Sequence, residues 1–386
     1  MRIISGHVQN YAWGIPGGLN PWLAGVEDDG PQAELWFGAH PNGPSPLVGR
    51  AGVLTDVIDA DRVPLLVKLL AASVPLSIQI HPRAELAREI YRTQDPEHPL
   101  LPDDRAKIEM LIALREFSVF AGTREVESAA QLLRASDPRL GPAAEALSRG
   151  GFTEGVRAVM DLPQEEVPTL ISAVLTEAGR RLPTAAVQAL QIAATAFPGD
   201  RGVLVALLLN QDTLAPGAAV YMPAGGAHAY VRGFGLEVMT ASDNVLRLGM
   251  TPKAIALDEG LSAVDPDATP QVLPGPAGGI DDGSATVDYR PAGAPFKVTL
   301  VRESSAHSAG GKYRLALCLS GTANVSVGPA TVDLSAGQAA VVLADEPTLA
   351  MDCAGLGFVI EHRPENDAVA LDSTHGRPAG SEESEA

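Results

Sequence analysis

The feature that most constrains the fold is a change of period in the middle of the chain. Residues 123–197 are rich in Ala, Leu and Glu and carry several helical periods, as in PTLISAVLTEAGR and PTAAVQALQIAATAF, separated by proline-containing breaks. On both sides the texture is one of short apolar or alternating runs punctuated by Gly, Pro and Asn, the pattern of strands joined by tight turns. Residues 64–81 hold two candidate strands, split around Ala72, Ser73 and Pro75, and AELAREIYR after Arg83 reads as a helix with its Glu and Arg residues outward. At Gly202 the texture returns to β: VLVALLLN is expected as a short strand, QDTLAPG as a turn and AAVYMP as another strand. A Gly/Pro/Asp-rich linker follows from about residue 260 to Gly283, and then FKVTLV, YRLALCLSG and TANVSV announce an antiparallel sheet. The polar end, including GRPAGSEESEA, is expected to be disordered.

An internal repeat sharpens this picture. Leu214–His228 (LAPGAAVYMPAGGAH) and Leu334–Thr348 (LSAGQAAVVLADEPT) share a leucine, two residues, a glycine and an apolar strand at an offset of 120 residues. The chain is therefore expected to be mainly β, with two related β-barrel halves around an inserted helical domain. The first copy ends in His228 and the second in Thr348, so a metal held by that histidine would belong to the first half alone.

With 386 residues, 46% of them hydrophobic, the chain can build two or three cores. Its formal charge is −19, from 47 acidic against 28 basic residues, and no block of Lys or Arg occurs. Nucleic acid and anionic membrane are thus poor partners. An anionic ligand would need a few cations gathered in one pocket. Cys318 and Cys353 lie in apolar runs and are expected as buried thiols rather than a disulfide. The N-terminus shows no apolar segment followed by a cleavage site, and no apolar stretch is long enough to span a bilayer, so a cytoplasmic protein is expected.

Chemistry concentrates at SIQIHP. Ser77, Gln79 and His81 alternate with Ile78 and Ile80, which on a strand puts a hydroxyl, an amide oxygen and an imidazole on one face. Alternate residues are about 6.5–7 Å apart along the strand, so the Gln79 and His81 side chains can converge on one ion. PAGGAHAY supplies His228 after a glycine-rich turn able to direct it inward. Glu109 stands among Ile108, Met110 and Leu111, where an unpaired carboxylate is costly. Two imidazoles, a carboxylate and a neutral oxygen suit zinc, with manganese, cobalt or iron as substitutes. Each residue also has an ordinary reading: a hydrogen-bonded cleft histidine for His81, a turn histidine for His228, an outer-face glutamate for Glu109.

The segments NYAWG at 10–14, AELWFGAHPNGPS at 33–45, PLLVKLL at 64–70, SIQIHP at 77–82 and GGAHAYVRGFGLEVMTASDNVLRLGMTPK at 225–253 resemble, in order, the type I phosphomannose isomerases, zinc enzymes of the cupin superfamily. The C-terminal third is similar only in its general β character. The resemblance implies two cupin-like (jelly-roll) β domains, the catalytic one formed by residues 1–120 and 200–262, a helical domain over 121–199, a second β domain over 263–365 and a tail over 366–386. It assigns one zinc ion per chain to Gln79, His81, Glu109 and His228. The family's KPEM reads here Lys107-Ile108-Glu109-Met110, a departure that bears on local backbone geometry rather than on ligation. Ser77, Lys107 and Lys253 are implied as substrate contacts, Glu237 and Asp243 as lining the site, and Arg247 as catalytically important.

The implied reaction interconverts mannose 6-phosphate and fructose 6-phosphate through an enediol. Glu237 is the candidate base, and Arg247, always charged, a donor to developing oxyanion charge. Lys253, Lys107 and Ser77 would meet the phosphate, with Arg83 as a further candidate. No nucleotide-binding fingerprint occurs, and a monomer is expected. Plainer roles stay open: Glu237 paired with Arg232, Asp243-Asn244 as a turn, Arg247 as a solvated side chain, and Trp13 and Trp36 as core packing, which is the favoured reading for those two. A cupin oxygenase or a non-catalytic sugar-phosphate binder are the rival classes.

Overall fold

The structure is a computed structural model describing residues 1–363 apart from 24, 26 and 27; the expected tail lies outside the described residues. The described chain is mainly antiparallel β, with two large sheets of eleven and seven strands. At the centre of the first sheet, strand Leu65–Ala72 runs antiparallel to His228–Thr240, with Leu65 opposite Thr240 and Ala72 opposite Gly233. Glu109–Ala113 pairs on the other side of His228–Thr240, and Ala219–Met222 follows it.

Every residue of Leu65–Ala72 is buried, because both faces of the strand are covered. Leu65, Val67, Leu69 and Ala71 enter a core shared with the second sheet through Leu315, Leu317, Phe358 and Ile360. Leu70 and Ala72 face the interior of the first half beside Leu111 and Ala113. Lys68, in phase with them, must find polar company there.

Helices Val126–Ser136, Gly141–Met160, Val167–Arg181 and Thr184–Ala196 form the expected helical block. They pack against the reverse side of the SIQIHP strand: Ile78, Ile80, Ala227, Ala229, Val231, Leu246 and Leu248 share one core with Leu133, Leu147, Val174 and Leu190. The alternation that sends these apolar residues outward sends Gln79, His228, Tyr230 and Arg247 inward.

One element differs from expectation. The start of VLVALLLN lies in helix Gly202–Ala206, and the strand starts at Leu209 and runs into the supposed turn as far as Leu214. A short, fully buried apolar run carries no period that separates helix from strand. Tertiary packing decides it here: a Cβ on Gly202 would lie 2.2 Å from the Met250 backbone nitrogen, so the helix docks directly on the chain beyond strand Leu246–Gly249.

The repeat is visible in three dimensions. Leu209–Leu214, Ala219–Met222 and His228–Thr240 have counterparts in Ala330–Ser335, Gln338–Val342 and Leu349–His362. Gly217 and Gly337 take the same left-handed turn conformation, at φ 89° and 80°. YRLALCLSG and TANVSV form one long strand, Arg314–Val327, broken by a bulge after Cys318. Strand Arg2–Ser5 joins this second sheet, with Arg2 opposite Val341 and Ser5 opposite Gln338, while Ile4 enters the shared core. Cys318 and Cys353 are free and buried, as expected. Among the described residues no helix is long and apolar enough to cross a membrane.

Candidate metal centre

Three strands bring the expected ligands together. His81 follows Ile78–Ile80, His228 opens His228–Thr240 and Glu109 opens Glu109–Ala113. Gln79 lies directly opposite His228 in the sheet. The ligand atoms of His81, Glu109 and His228, all buried, lie within 4.8 Å of one another. His228 Nε2 is 2.7 Å from Glu109 Oε1, and His81 Nε2 is 3.3 Å from Glu109 Oε2.

The imidazoles are oriented from behind. His81 Nδ1 is 2.8 Å from the Asn244 carbonyl oxygen and His228 Nδ1 is 3.1 Å from that of Gly226. A carbonyl only accepts, so each Nδ1 carries a proton and each ring turns its Nε2 toward the centre. Burial, joined by the Lys107 ammonium, pushes the His81 pKa down to about 4, leaving the ring neutral near pH 7. Burial alone would raise Glu109, but the Lys107 ammonium, with the His81 and His228 rings beside it, outweighs it and holds the carboxyl well below its ordinary value. Glu109 Oε2 lies 2.7 Å from Lys107 Nζ, yet no donor meets it along a hydrogen-bonding direction. Two imidazole nitrogens and a buried carboxylate oxygen with an unused lone pair fit a divalent transition-metal ion, and zinc above all.

The centre opens through His228 onto a cavity of about 310 Å³ that is also lined by Gln79, Lys107, Glu237, Asp243, Arg247 and Lys253. Ser77 lines an adjoining cavity of about 390 Å³, which shares Gln79, Arg247 and Lys253 with the first. Arg247 stands beside Gln79 in the strand pairing. It is half-buried and lines both cavities. Glu237 pairs not with Arg232 but with Lys68, at 3.1 Å. Burial pushes its carboxyl above the ordinary value, against the pull of Lys68 and with the help of Glu109. Asp243 is held by His40 Nε2 at 3.0 Å. Arg83 points elsewhere, to Asp265 at 3.0 Å, and is exposed.

Trp13 and Trp36 both line the cavity, which corrects their reading as core packing alone. Trp36 does both, packing on Leu66 and Met239 while its indole N–H donates to Glu34 Oε2 at 2.7 Å. The residues that sequence reasoning leaves without a role are Lys68, Glu34 and Tyr230. Lys68 Nζ sits 3.6 Å from Glu34 and 5.1 Å from the Trp36 ring centre, and the Tyr230 hydroxyl donates to Glu109 Oε1 at 3.3 Å. A lone lysine at the centre of an apolar strand is the signal that finds it.

The second half has no equivalent centre among the described residues. Glu109 lies opposite Met222; 120 residues on, Val342 lies opposite Arg314. Arg314, fully buried, donates to the carbonyls of Ala309, Lys312, Leu343, Glu346 and Pro347 and fills the place where the first half has its carboxylate.

Residues 1–126 match the family model "Phosphomannose isomerase type I, catalytic domain". Mannose-6-phosphate isomerase from Escherichia coli is 31% identical over 383 residues, covering 90% of this chain and 95% of that protein. A probable mannose-6-phosphate isomerase from Caenorhabditis elegans is 30% identical, covering 86% and 87%. A crystal structure of a phosphomannose isomerase mutant from Salmonella typhimurium superposes with a TM-score of 0.78 at 27% identity, covering 94% of this chain and 100% of that one. A zinc-bound mannose 6-phosphate isomerase superposes at 0.77 with 26% identity, over the same shares.

Proposed function

Because the chain belongs to the type I mannose-6-phosphate isomerase family, we propose that its cavity interconverts D-mannose 6-phosphate and D-fructose 6-phosphate, an aldose and a ketose, through an enediol. The observation that carries this reading is the convergence of His81, Glu109 and His228, the last of which lines a cavity that also gathers Glu237, Arg247 and Lys253. Gln79 is the fourth ligand in this reading, since its register beside His228 puts an amide oxygen within reach. Zinc, one per chain, supplies when bound a Lewis acid that polarises the sugar carbonyl and offsets charge on the enediol oxygens.

The chain's own groups do the rest. Glu237 moves the proton between C1 and C2: its raised pKa favours accepting one, and Lys68 fixes its carboxylate in place. Arg247 and Lys253, without an ion pair among the described residues, face the cavity as the free cations a dianionic phosphate needs in an acidic protein. Lys253, with Ser77 in the adjoining cavity, takes the phosphate. Arg247, beside Gln79, donates to the sugar oxygens. Lys107 neutralises Glu109 and reaches the sugar, and Asp243 fixes the sugar at the rim. Residues 1–120 with 200–262 supply most of the catalytic domain, 121–199 the helical domain and 263–363 most of the second β domain; strand Arg2–Ser5 crosses to the second sheet and Gln271–Leu273 to the first. We place the protein in the cytoplasm as a monomer.

A coupled assay for fructose 6-phosphate formed from mannose 6-phosphate tests the proposal. Turnover is expected to vanish on chelation and return with zinc. No turnover by the zinc-reconstituted protein refutes it.

A further inference from the structure

The connection between the strands His228–Thr240 and Leu246–Gly249 holds a side chain whose position neither packing nor the proposed chemistry explains. Asn244 is fully buried, and its amide is surrounded by backbone and side-chain partners from a distant loop. Its Nδ2 lies 2.7 Å from the Arg105 carbonyl oxygen, 2.9 Å from that of Asp103 and 3.0 Å from Asp103 Oδ1. Asp103 returns the grip: its carboxylate accepts from the Ser242 hydroxyl at 2.9 Å and from the Asp243 backbone N–H at 3.2 Å. The backbone carbonyl of Asn244 is the acceptor for His81 Nδ1.

We infer that Asn244 and Asp103 form a positioning clamp for the metal centre, one that holds His81 in its metal-binding tautomer and sets Asp243 at the cavity rim. The inference rests on the metal reading proposed above. The clamp joins segments that must agree for the site to work. The Asp103–Arg105 loop leads into Lys107 and Glu109, and the Asn244 segment leads into Arg247. The two metal histidines differ in this respect. His228 is braced by Gly226, two residues away in its own turn, whereas His81 is braced from 163 residues away. A brace that remote is only as rigid as whatever fixes it.

The residue types follow from the contacts. Only an amide offers two N–H donors on so short a stem. Aspartate at 244 would bring a second carboxylate against Asp103, and an apolar residue would leave partly buried acceptors without this donor. Neither side chain offers a ligand to the metal; Asn244 acts through His81 and Asp103 through Asn244 and Asp243.

The test measures Zn²⁺ affinity by competition with a chromophoric chelator, together with the visible spectrum of the cobalt-loaded protein, which reports ligand geometry. Outer-shell partners of metal-bound histidines typically contribute about 10- to 100-fold in affinity. Asn244→Ala is expected to weaken zinc binding by about that factor and to alter the cobalt spectrum. Asp103→Asn should act in the same direction, and the double variant should be no weaker than Asn244→Ala alone, because both changes break one unit. Val156→Ala, in the helical core, should lower the melting temperature without moving zinc affinity. Unchanged zinc affinity and cobalt spectrum in folded Asn244→Ala overturn the clamp. So does a loss in Val156→Ala equal to that in Asn244→Ala, which would make the effect one of general stability. If Asn244→Ala does not fold, Asp103→Asn decides, and wild-type affinity in that variant overturns the inference. Failure of the wild-type chain to bind zinc would instead overturn the metal reading itself, and the clamp with it.

Discussion

Replacing Lys68 by methionine removes a cation from between two carboxylates in a nearly sealed part of the cavity wall. Its ammonium is 3.1 Å from Glu237 and 3.6 Å from Glu34, with all three side chains less than a tenth exposed. At an effective dielectric constant of about 20, each contact corresponds to roughly 5 kcal/mol of gross attraction. Desolvation of the ions offsets much of this, so the net loss is what remains when a buried pair loses one partner, about 3–5 kcal/mol. With a urea dependence of about 2–3 kcal/mol per M, the unfolding midpoint should fall by roughly 1–2 M. Burial alone would lower the Lys68 pKa, but Glu237 and Glu34 raise it above the ordinary lysine value. A raised cation contributes fully below its unfolded pKa, and its contribution fades only as the pH climbs through the folded one. The loss should therefore be constant across roughly pH 6–9. Adding Glu237→Gln should restore about half of it by removing one unpaired charge. Urea unfolding of the two variants decides: a loss below about 1 kcal/mol in Lys68→Met, the size of a solvated surface pair, refutes the reasoning.

Lys253→Ala should raise KM for mannose 6-phosphate by about 10- to 100-fold, the weight of a charged hydrogen bond, and kcat should change less; steady-state kinetics with an unchanged KM would remove Lys253 from the phosphate site. Arg314→Met leaves the carbonyls of Ala309, Lys312, Leu343, Glu346 and Pro347 without their donor and should cost about 3 kcal/mol or more in urea unfolding, while zinc bound per folded chain, measured by metal analysis, stays at one. Glu361 is raised by burial but more strongly lowered by Lys312, at 2.6 Å, and Lys297. A depressed carboxyl contributes above its unfolded pKa, near 4.5, and the contribution is lost as the pH falls through the folded value. Glu361→Gln should thus melt earlier than wild type at pH 7 and converge with it in acid; a constant gap down to about pH 2 would contradict this.

The strand carrying Gln79 and His81 is legible because its alternation is strict and its apolar partners are isoleucines, which favour strands. Sequence alone cannot show that those isoleucines pack on the helical block, since periodicity states which face is apolar and not what covers it. Glu109 and His228 come from segments far apart, and only the family resemblance joins them before the sheet register does. Lys68 hides in a run buried on both faces, where the alternation of apolar residues disappears and a lysine looks like an exception. VLVALLLN fails for a related reason, having no polar residue to mark a phase. Arg83 misleads by proximity: it follows the metal strand directly, but the chain turns into helix Ala84–Thr93 and carries it outward to Asp265. Trp36 shows that lining a cavity and packing a core are not exclusive for a large ring with one polar atom.

The strand Arg2–Ser5 ties the timing of folding to the synthesis of a partner far along the chain. Its partner, Gln338–Val342, is more than 330 residues away. At a synthesis rate of about 5–20 residues per second, the first strand waits roughly 20–70 s for the edge it will join. Until then Ile4 stays outside the core that both halves share, and the last sheet keeps an open edge, available to another chain. Nascent molecules are consequently most exposed to mispairing after the catalytic ligands have all been made, and the closing of that edge, late and non-local, marks the passage to the finished protein.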